Sequence, residues 1–251
     1  MMGRAWVCVL AVFAFAPVQN AFGDAREVIE AAIVAHGGEA AVAKLKSVRI
    51  KVEGEAEFVA GQPAVPIILE DVWRMPDRYK TTSHVTLQGQ EVTQTLCING
   101  KEGWAEMNGQ VQPLPADALK ELKEQKWAED FDRLLPLRDK SLKLMRLKDA
   151  KVDDRPAACI KVEAEGHREV RLYFDQETHL LVKREQDVVG DDGKAVLQSV
   201  LFSDFADKRG VKHWTKIRAY RDGKRFITAT LKELETDRPA SAGEFEAVAD
   251  Q

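Results

Sequence analysis

Apolar and polar residues alternate along most of this 251-residue chain. From Ser47 to Phe58 the apolar set is Val48, Ile50, Val52, Ala56 and Phe58, with Arg49, Lys51, Glu53, Glu55 and Glu57 between them. A period of two puts one set on each face of a β-strand, here with one face wet. The same reasoning predicts strands over Val65–Met75, Arg78–Leu87, Glu91–Ile98 and Lys101–Met107. After residue 140 it predicts Ser141–Lys148, Ala157–Glu165, Glu169–Phe174, Leu180–Val189, Val196–Phe205, Val211–Tyr220 and Arg225–Leu234. Turn residues punctuate them, among them Asn99-Gly100, Asn108-Gly109 and Asp222-Gly223.

Two stretches break this period. Asp24–Ala35 has Val28, Ile29, Ala32 and Ile33 at helical spacing, Asp24 as N-cap and Gly37-Gly38 as the stop. A short helix over Glu39–Leu45 follows, and His36 reads as a solvated residue at the helix end. The second break is Pro115–Leu137, between the fifth and sixth strands. Leu119, Leu122, Trp127, Phe131, Leu134 and Leu135 fall near one side of it. Lys120, Glu121, Lys123 and Glu124 largely fall on the other, while Lys126 and Asp130 blur the stripe and suggest a partly buried cover.

A dozen closely spaced strands suggest a large antiparallel sheet, a barrel or a sandwich. Twist accumulates across such a sheet, so it curls and its apolar face needs a cover. The expected fold is mainly β (α+β): a single curved antiparallel sheet or incomplete barrel of about 11–12 strands, with an N-terminal helix and a helical lid. Leu119, Leu122, Trp127, Phe131 and Leu134 are the candidate ligand-binding residues, on the lid face turned towards the sheet.

Residues 1–23 resemble a secretory signal: Arg4, then the apolar run Trp6–Val18, then Ala21-Phe22-Gly23 before Asp24. An uncleaved N-terminal anchor is the rival reading. Cleavage leaves 24–251 as one domain, periplasmic or secreted. The net charge of −4, with signs interspersed, argues against a nucleic-acid binder. An exported chain allows a disulfide between Cys97 and Cys159, but both lie in apolar strand patterns, and two separate buried thiols are the favoured reading.

Motifs for chemistry are missing. The five histidines, His36, His84, His167, His179 and His213, lack zinc-protease spacing, and the cysteines lack zinc-ribbon spacing. There is no Gly-x-Ser-x-Gly elbow. Asp191-Asp192-Gly193 lacks the spaced ligands of a calcium loop and reads as a turn. No catalytic residue, metal ligand or cofactor is assigned.

Several short motifs, in order, resemble the LolA/LolB-type periplasmic lipoprotein carriers and their outer-membrane lipoprotein-sorting relatives. Trp73-Arg74-Met75-Pro76-Asp77-Arg78-Tyr79-Lys80 is similar to their Arg-x-Pro strand end and basic-aromatic-basic strand start. Asn99-Gly100-Lys101-Glu102-Gly103-Trp104 resembles the next turn and strand. Leu172-Tyr173-Phe174-Asp175, Leu180-Leu181-Val182-Lys183, Phe202-Ser203-Asp204-Phe205 and Gly210-Val211-Lys212-His213-Trp214-Thr215-Lys216 resemble the C-terminal run, with Trp214 where Pro is usual. The resemblance implies an incomplete barrel whose lidded apolar cavity holds acyl chains. It also implies a polar strand residue that keeps the lid closed, to which no single position here corresponds.

Two functions follow as expectations. One is a non-catalytic, monomeric binding protein for a lipid or lipoprotein acyl chain. The other is a structural or interaction protein of the cell envelope, with a closed core, that binds another envelope protein.

Overall fold

The strand that begins the sheet in sequence lies near its middle in space. The computed structural model describes residues 24–58, 62–87, 89–190, 192–239, 241 and 243–247. The proposed leader, Asp191 and Val248 lie outside the described residues. Six strands precede the long helix: β1 (Ser47–Ala56), β2 (Val65–Arg74), β3 (Arg78–Leu87), β4 (Gln90–Asn99), β5 (Glu102–Met107) and β6 (Gln110–Pro113). Ten follow it: β7 (Lys143–Arg146), β8 (Ala150–Val152), β9 (Arg155–Glu163), β10 (Val170–Asp175), β11 (Leu181–Val189), β12 (Ala195–Ser203), β13 (Ala206–Lys208), β14 (Val211–His213), β15 (Lys216–Arg221) and β16 (Lys224–Thr236).

Fourteen strands form one antiparallel sheet in the order β6-β5-β4-β3-β2-β1-β16-β15-β12-β11-β10-β9-β7, with β8 paired to β9. The sheet is curved and does not close into a barrel. β13 and β14 form a separate hairpin. The strands beyond the expected dozen are short: β6, β8 and β13, and the split of Val211–Tyr220 into β14 and β15. Three or four residues carry too little alternation to register as a strand. Phe58, expected on the apolar face, lies past the end of β1 and is exposed.

This strand order explains the helical cover. The chain leaves the sheet at the β6 edge and re-enters at the β7 edge. In an open, curved sheet the connection between two edges has to cross the mouth. It does so as α3 (Ala116–Asp130), the third helix of the chain, followed by 3-10 turns at Phe131–Arg133 and Leu135–Arg138. Gly103 on β5 provides the seat, because a Cβ there would collide with Leu119 Cδ1. Lys126 and Asp130, which blurred the apolar stripe, are a buried ion pair at 2.6 Å, and Lys126 Nζ also donates to Pro76 O at 2.7 Å. Two opposite charges four residues apart on a helix meet side by side, so each is buried with a partner.

The N-terminal α1 (Ala25–Ala35) and α2 (Glu39–Val42) pack on the same face. Asp24 caps α1 as expected, accepting from Arg26 N at 3.2 Å. Ile29, Ala32 and Ile33 join Ile160, Leu172 and Phe174 in the main core. Each large apolar side chain so buried contributes about 1.5–3 kcal/mol. Cys97 and Cys159 are free, buried and in different clusters. On the opposite face Phe245 is buried against Val72, Cys97 and Trp104, and its carbonyl accepts from Trp104 Nε1 at 3.0 Å.

Candidate ligand-binding site

Alternation on β1 and β2 turns Val48, Ile50, Val52, Leu69, Asp71 and Trp73 to the covered face. Val200, Phe202, Ile217 and Ala219 reach the same space from β12 and β15. Together with the cover they bound a cavity of about 200 Å³. Tyr79 of β3 and Arg184 of β11 both line it. These strands stand six spacings apart in the sheet, about 29 Å if it were flat at ~4.8 Å each. One small cavity touches both only because the sheet curls around it, so the covered face is the concave one.

The cover contributes charge to this cavity. Its lining residues are Glu129, Asp132 and Arg133. Among the described residues, none of Leu119, Leu122, Trp127, Phe131 and Leu134 lies on the cavity wall. Leu122, Phe131 and Leu134 are buried in the main core, and Leu119 and Trp127 pack against it. Trp127 stacks on His167 at 4.3 Å and meets Phe131 edge-on at 4.7 Å. The apolar stripe therefore anchors the helix, and the flank beside it faces the cavity.

Two arginines organise the polar end. Arg184 Nη1 donates to Asp132 Oδ2 at 2.6 Å, and its Nη2 lies 3.5 Å from Glu129 Oε1. Arg133 Cζ sits over the Trp73 ring at 4.0 Å from its centroid, and Nη1 donates to the Glu129 carbonyl at 2.8 Å. Trp73 and Tyr79, from the Arg-x-Pro motif, are a cross-strand pair with ring centroids 4.9 Å apart. Tyr79 OH donates to Asp71 Oδ1 at 3.3 Å. Burial is the leading cause that pushes the carboxyls of Asp71 and Asp132 up to about 7, and it also raises Glu129.

Arg184 escapes a period-two reading because β11 is bulged. Opposite β10 the register moves from Tyr173↔Lys183 to Phe174↔Leu181, which leaves Val182 as the extra residue. Leu181 and Arg184 consequently face the same cavity although three positions apart. A second bulge, at Phe226 on β16, turns both Phe226 and Ile227 inward. Asp71 was the legible one: it occupies an inward position between Leu69 and Trp73.

His36 corrects the expectation of a solvated helix end. Gly37, at φ 112°, lies so close to the Gly210 carbonyl that a Cβ would collide with it, which brings α1 onto the β13–β14 hairpin. His36 Nδ1 donates to Lys212 O at 2.7 Å and Nε2 accepts from Leu181 N at 3.2 Å. It is the neutral tautomer that both bonds require. Burial lowers its pKa to about 4, and does the same to His213, whose Nδ1 donates to Trp214 O at 2.8 Å. Both histidines line the cavity.

Among the described residues, no group of three His, Cys, Asp or Glu side chains is placed to hold a metal ion. No helix among them is long and apolar enough to cross a membrane.

No family model and no curated protein matches the sequence. Solved structures do match. A LolA superfamily protein from Nitrosomonas europaea superposes with a TM-score of 0.57 at 12% identity, over 89% of this chain and 97% of that one. The chain has the LolA-type fold. A second protein of this shape is described as a putative outer membrane lipoprotein-sorting protein domain from Vibrio parahaemolyticus. It matches with a TM-score of 0.55 at 10% identity, over 89% of this chain and 97% of that one. A DUF1329 family protein from Desulfovibrio piger matches at 0.55 and 11% identity, over 88% and 97%. At such identities the LolA-type likeness covers architecture and says nothing by itself about cargo.

Proposed function

We propose that this protein is an exported, non-catalytic carrier, monomeric and working outside the cytoplasm, that holds a lipid or lipoprotein acyl chain between sheet and cover. The supporting observation is the cavity of about 200 Å³, walled by Val48, Ile50, Val52 and Val200 and roofed by a helix that crosses the mouth of a LolA-type sheet. An acyl chain gains roughly 25 cal/mol per Å2 of apolar area it buries, so it binds there without chemistry. An enclosed apolar cavity of about 150 Å3 is enough to take up benzene. Longer chains require the cover to move. Arg184 is the strand residue that holds it shut, through Asp132 and Glu129.

A second reading rests on burial of the cover itself. Leu122, Phe131 and Leu134 are core residues, as in a structural envelope protein whose sheet binds a partner and whose cavity stays empty. Solvent extraction of the purified protein, followed by mass spectrometry, together with titration by the uncharged fluorophore N-phenyl-1-naphthylamine, separates the two. The carrier reading expects a co-purifying lipid or saturable uptake of the fluorophore. Clean protein that leaves the fluorophore dark would sink it.

A further inference from the structure

The polar end of the cavity has a composition that an acyl chain alone does not use. Three carboxylates, Asp71, Glu129 and Asp132, face two guanidiniums, Arg133 and Arg184. Arg184 is committed to Asp132 and Glu129. Asp71 forms no ion pair among the described residues and has the Tyr79 hydroxyl at 3.3 Å. At pH 7.5, above the value of about 7 for Asp71 and Asp132, both are mostly ionised and an added anion would meet like charges.

The same end holds buried hydrogen-bonding atoms without partners. Trp73 is 5% exposed and Arg133 6% exposed, and both line the cavity. Among the described residues, the donors Trp73 Nε1 and Arg133 Nε are unpartnered, as is the acceptor Asp132 Oδ1. Buried polar atoms are rarely left so, and a ligand group is one way of supplying the missing partner. Two donors call for an acceptor such as a carbonyl oxygen. The free carboxylate oxygen calls for a hydroxyl or an N–H. An alkyl ammonium would satisfy the carboxylate and leave both donors unmet. An alkyl carboxylate would satisfy the donors and meet three acids.

We propose that this end of the cavity selects an uncharged head bearing both a carbonyl and a hydroxyl or amide N–H, carried on a single acyl chain. This rests on the carrier reading above and adds the class of ligand. About 200 Å³ holds roughly seven groups of the size of a water molecule. The cavity is partly open, so it takes the head at Trp73, Arg133 and Asp132 and the first carbons of the chain along Val48, Ile50 and Val200, while the rest of a medium-length chain extends past it.

The test is displacement of N-phenyl-1-naphthylamine at pH 7.5 by three eight-carbon probes: 1-monooctanoylglycerol, octanoate and octylammonium. Monooctanoylglycerol is expected to bind at least tenfold more tightly than either ion. Trp73→Phe, which keeps a ring under Arg133 and removes the indole donor, should reduce its affinity about fivefold relative to the fluorophore. Asp71→Asn should raise the affinity for octanoate. If octanoate or octylammonium matches monooctanoylglycerol, or if both variants leave the three affinities in their original ratios, the proposal is overturned while the carrier reading stands. If the parent protein takes up no fluorophore, the carrier reading itself falls.

Discussion

Arg184 Nη1 on β11 and Asp132 Oδ2 on the cover stand 2.6 Å apart and join the concave face of the sheet to the segment that roofs it. Removing one partner of such an enclosed pair strands the other charge. Arg184→Met should cost about 3–5 kcal/mol of unfolding free energy in urea. Hydrogen exchange should accelerate in residues 116–133 before it does in β1. Uniform exchange across both would disprove a role for Arg184 in holding the cover.

Acid sensitivity should arise at two histidines. His36 and His213 have an ordinary pKa of 6.5 unfolded and about 4 folded. Between these values the unfolded chain binds the proton and the folded one does not. Stability is thus present above 6.5 and lost as pH falls towards 4. At pH 5 the loss is about 2 kcal/mol for each histidine. Asp71 and Asp132 act in the opposite sense. They keep a proton up to about 7 when folded, so they stabilise as pH falls from 7 towards 4. The histidine contribution is therefore read by difference: His36→Asn should lose about 2 kcal/mol less than the parent between pH 7.5 and 5. Equal slopes in urea titrations would contradict this.

Trp127 tests what the apolar stripe does. It packs on Phe131 and His167 and stays off the cavity wall. Trp127→Ala should lower stability by about 3 kcal/mol and leave fluorophore uptake intact at temperatures where the variant is folded. Val200→Phe should do the reverse, filling the cavity and abolishing uptake with little change in melting temperature. A Val200→Phe protein that still binds would place the ligand elsewhere.

Arg138 forks between Glu30 at 2.6 Å and Glu39 at 2.8 Å, tying the end of the cover to α1 and α2. All three side chains are exposed. Screened surface pairs contribute little, so Arg138→Ala should cost less than about 1 kcal/mol. A loss as large as that of Arg184→Met would show that this link, too, governs the cover.

Both thiols should be silent in the folded protein. Cys97 and Cys159 are buried, and burial pushes Cys97 up to about 12. Iodoacetamide should label neither under native conditions and both in guanidinium. Native labelling of Cys97 would show that the Phe245 segment undocks.

Much of the architecture was legible because period-two patterning and Gly-containing turns are local. Asn108-Gly109 and Asp222-Gly223 each take positive φ at both residues, the conformation a tight hairpin needs. The cover was legible as a change of period. Its role in the cavity was not, because the apolar stripe marks where a helix is anchored, and the polar flank beside it reads as solvated. Glu129, Asp132 and Arg133 became cavity residues only once the concave wall of the sheet was in place. Arg184 was hidden by the bulge at Val182, and His36 by a contact with residue 212, far along the chain. Pairings of that range leave no trace in the spacing of neighbours.

The pairing of β1 with β16 sets the order in which this molecule becomes complete. Val48 finds Thr236, and Ala56 finds Ile227, across nearly the whole length of the chain. The seam between the first-made and last-made halves runs through the centre of the sheet. Until the final strand emerges, β1 has one open edge and the concave wall lacks Phe226 and Ile227. Closing so long a loop is slow, because its entropy is lost before the contacts form. A nascent chain therefore has no finished concave wall until the residues of the last strand have emerged.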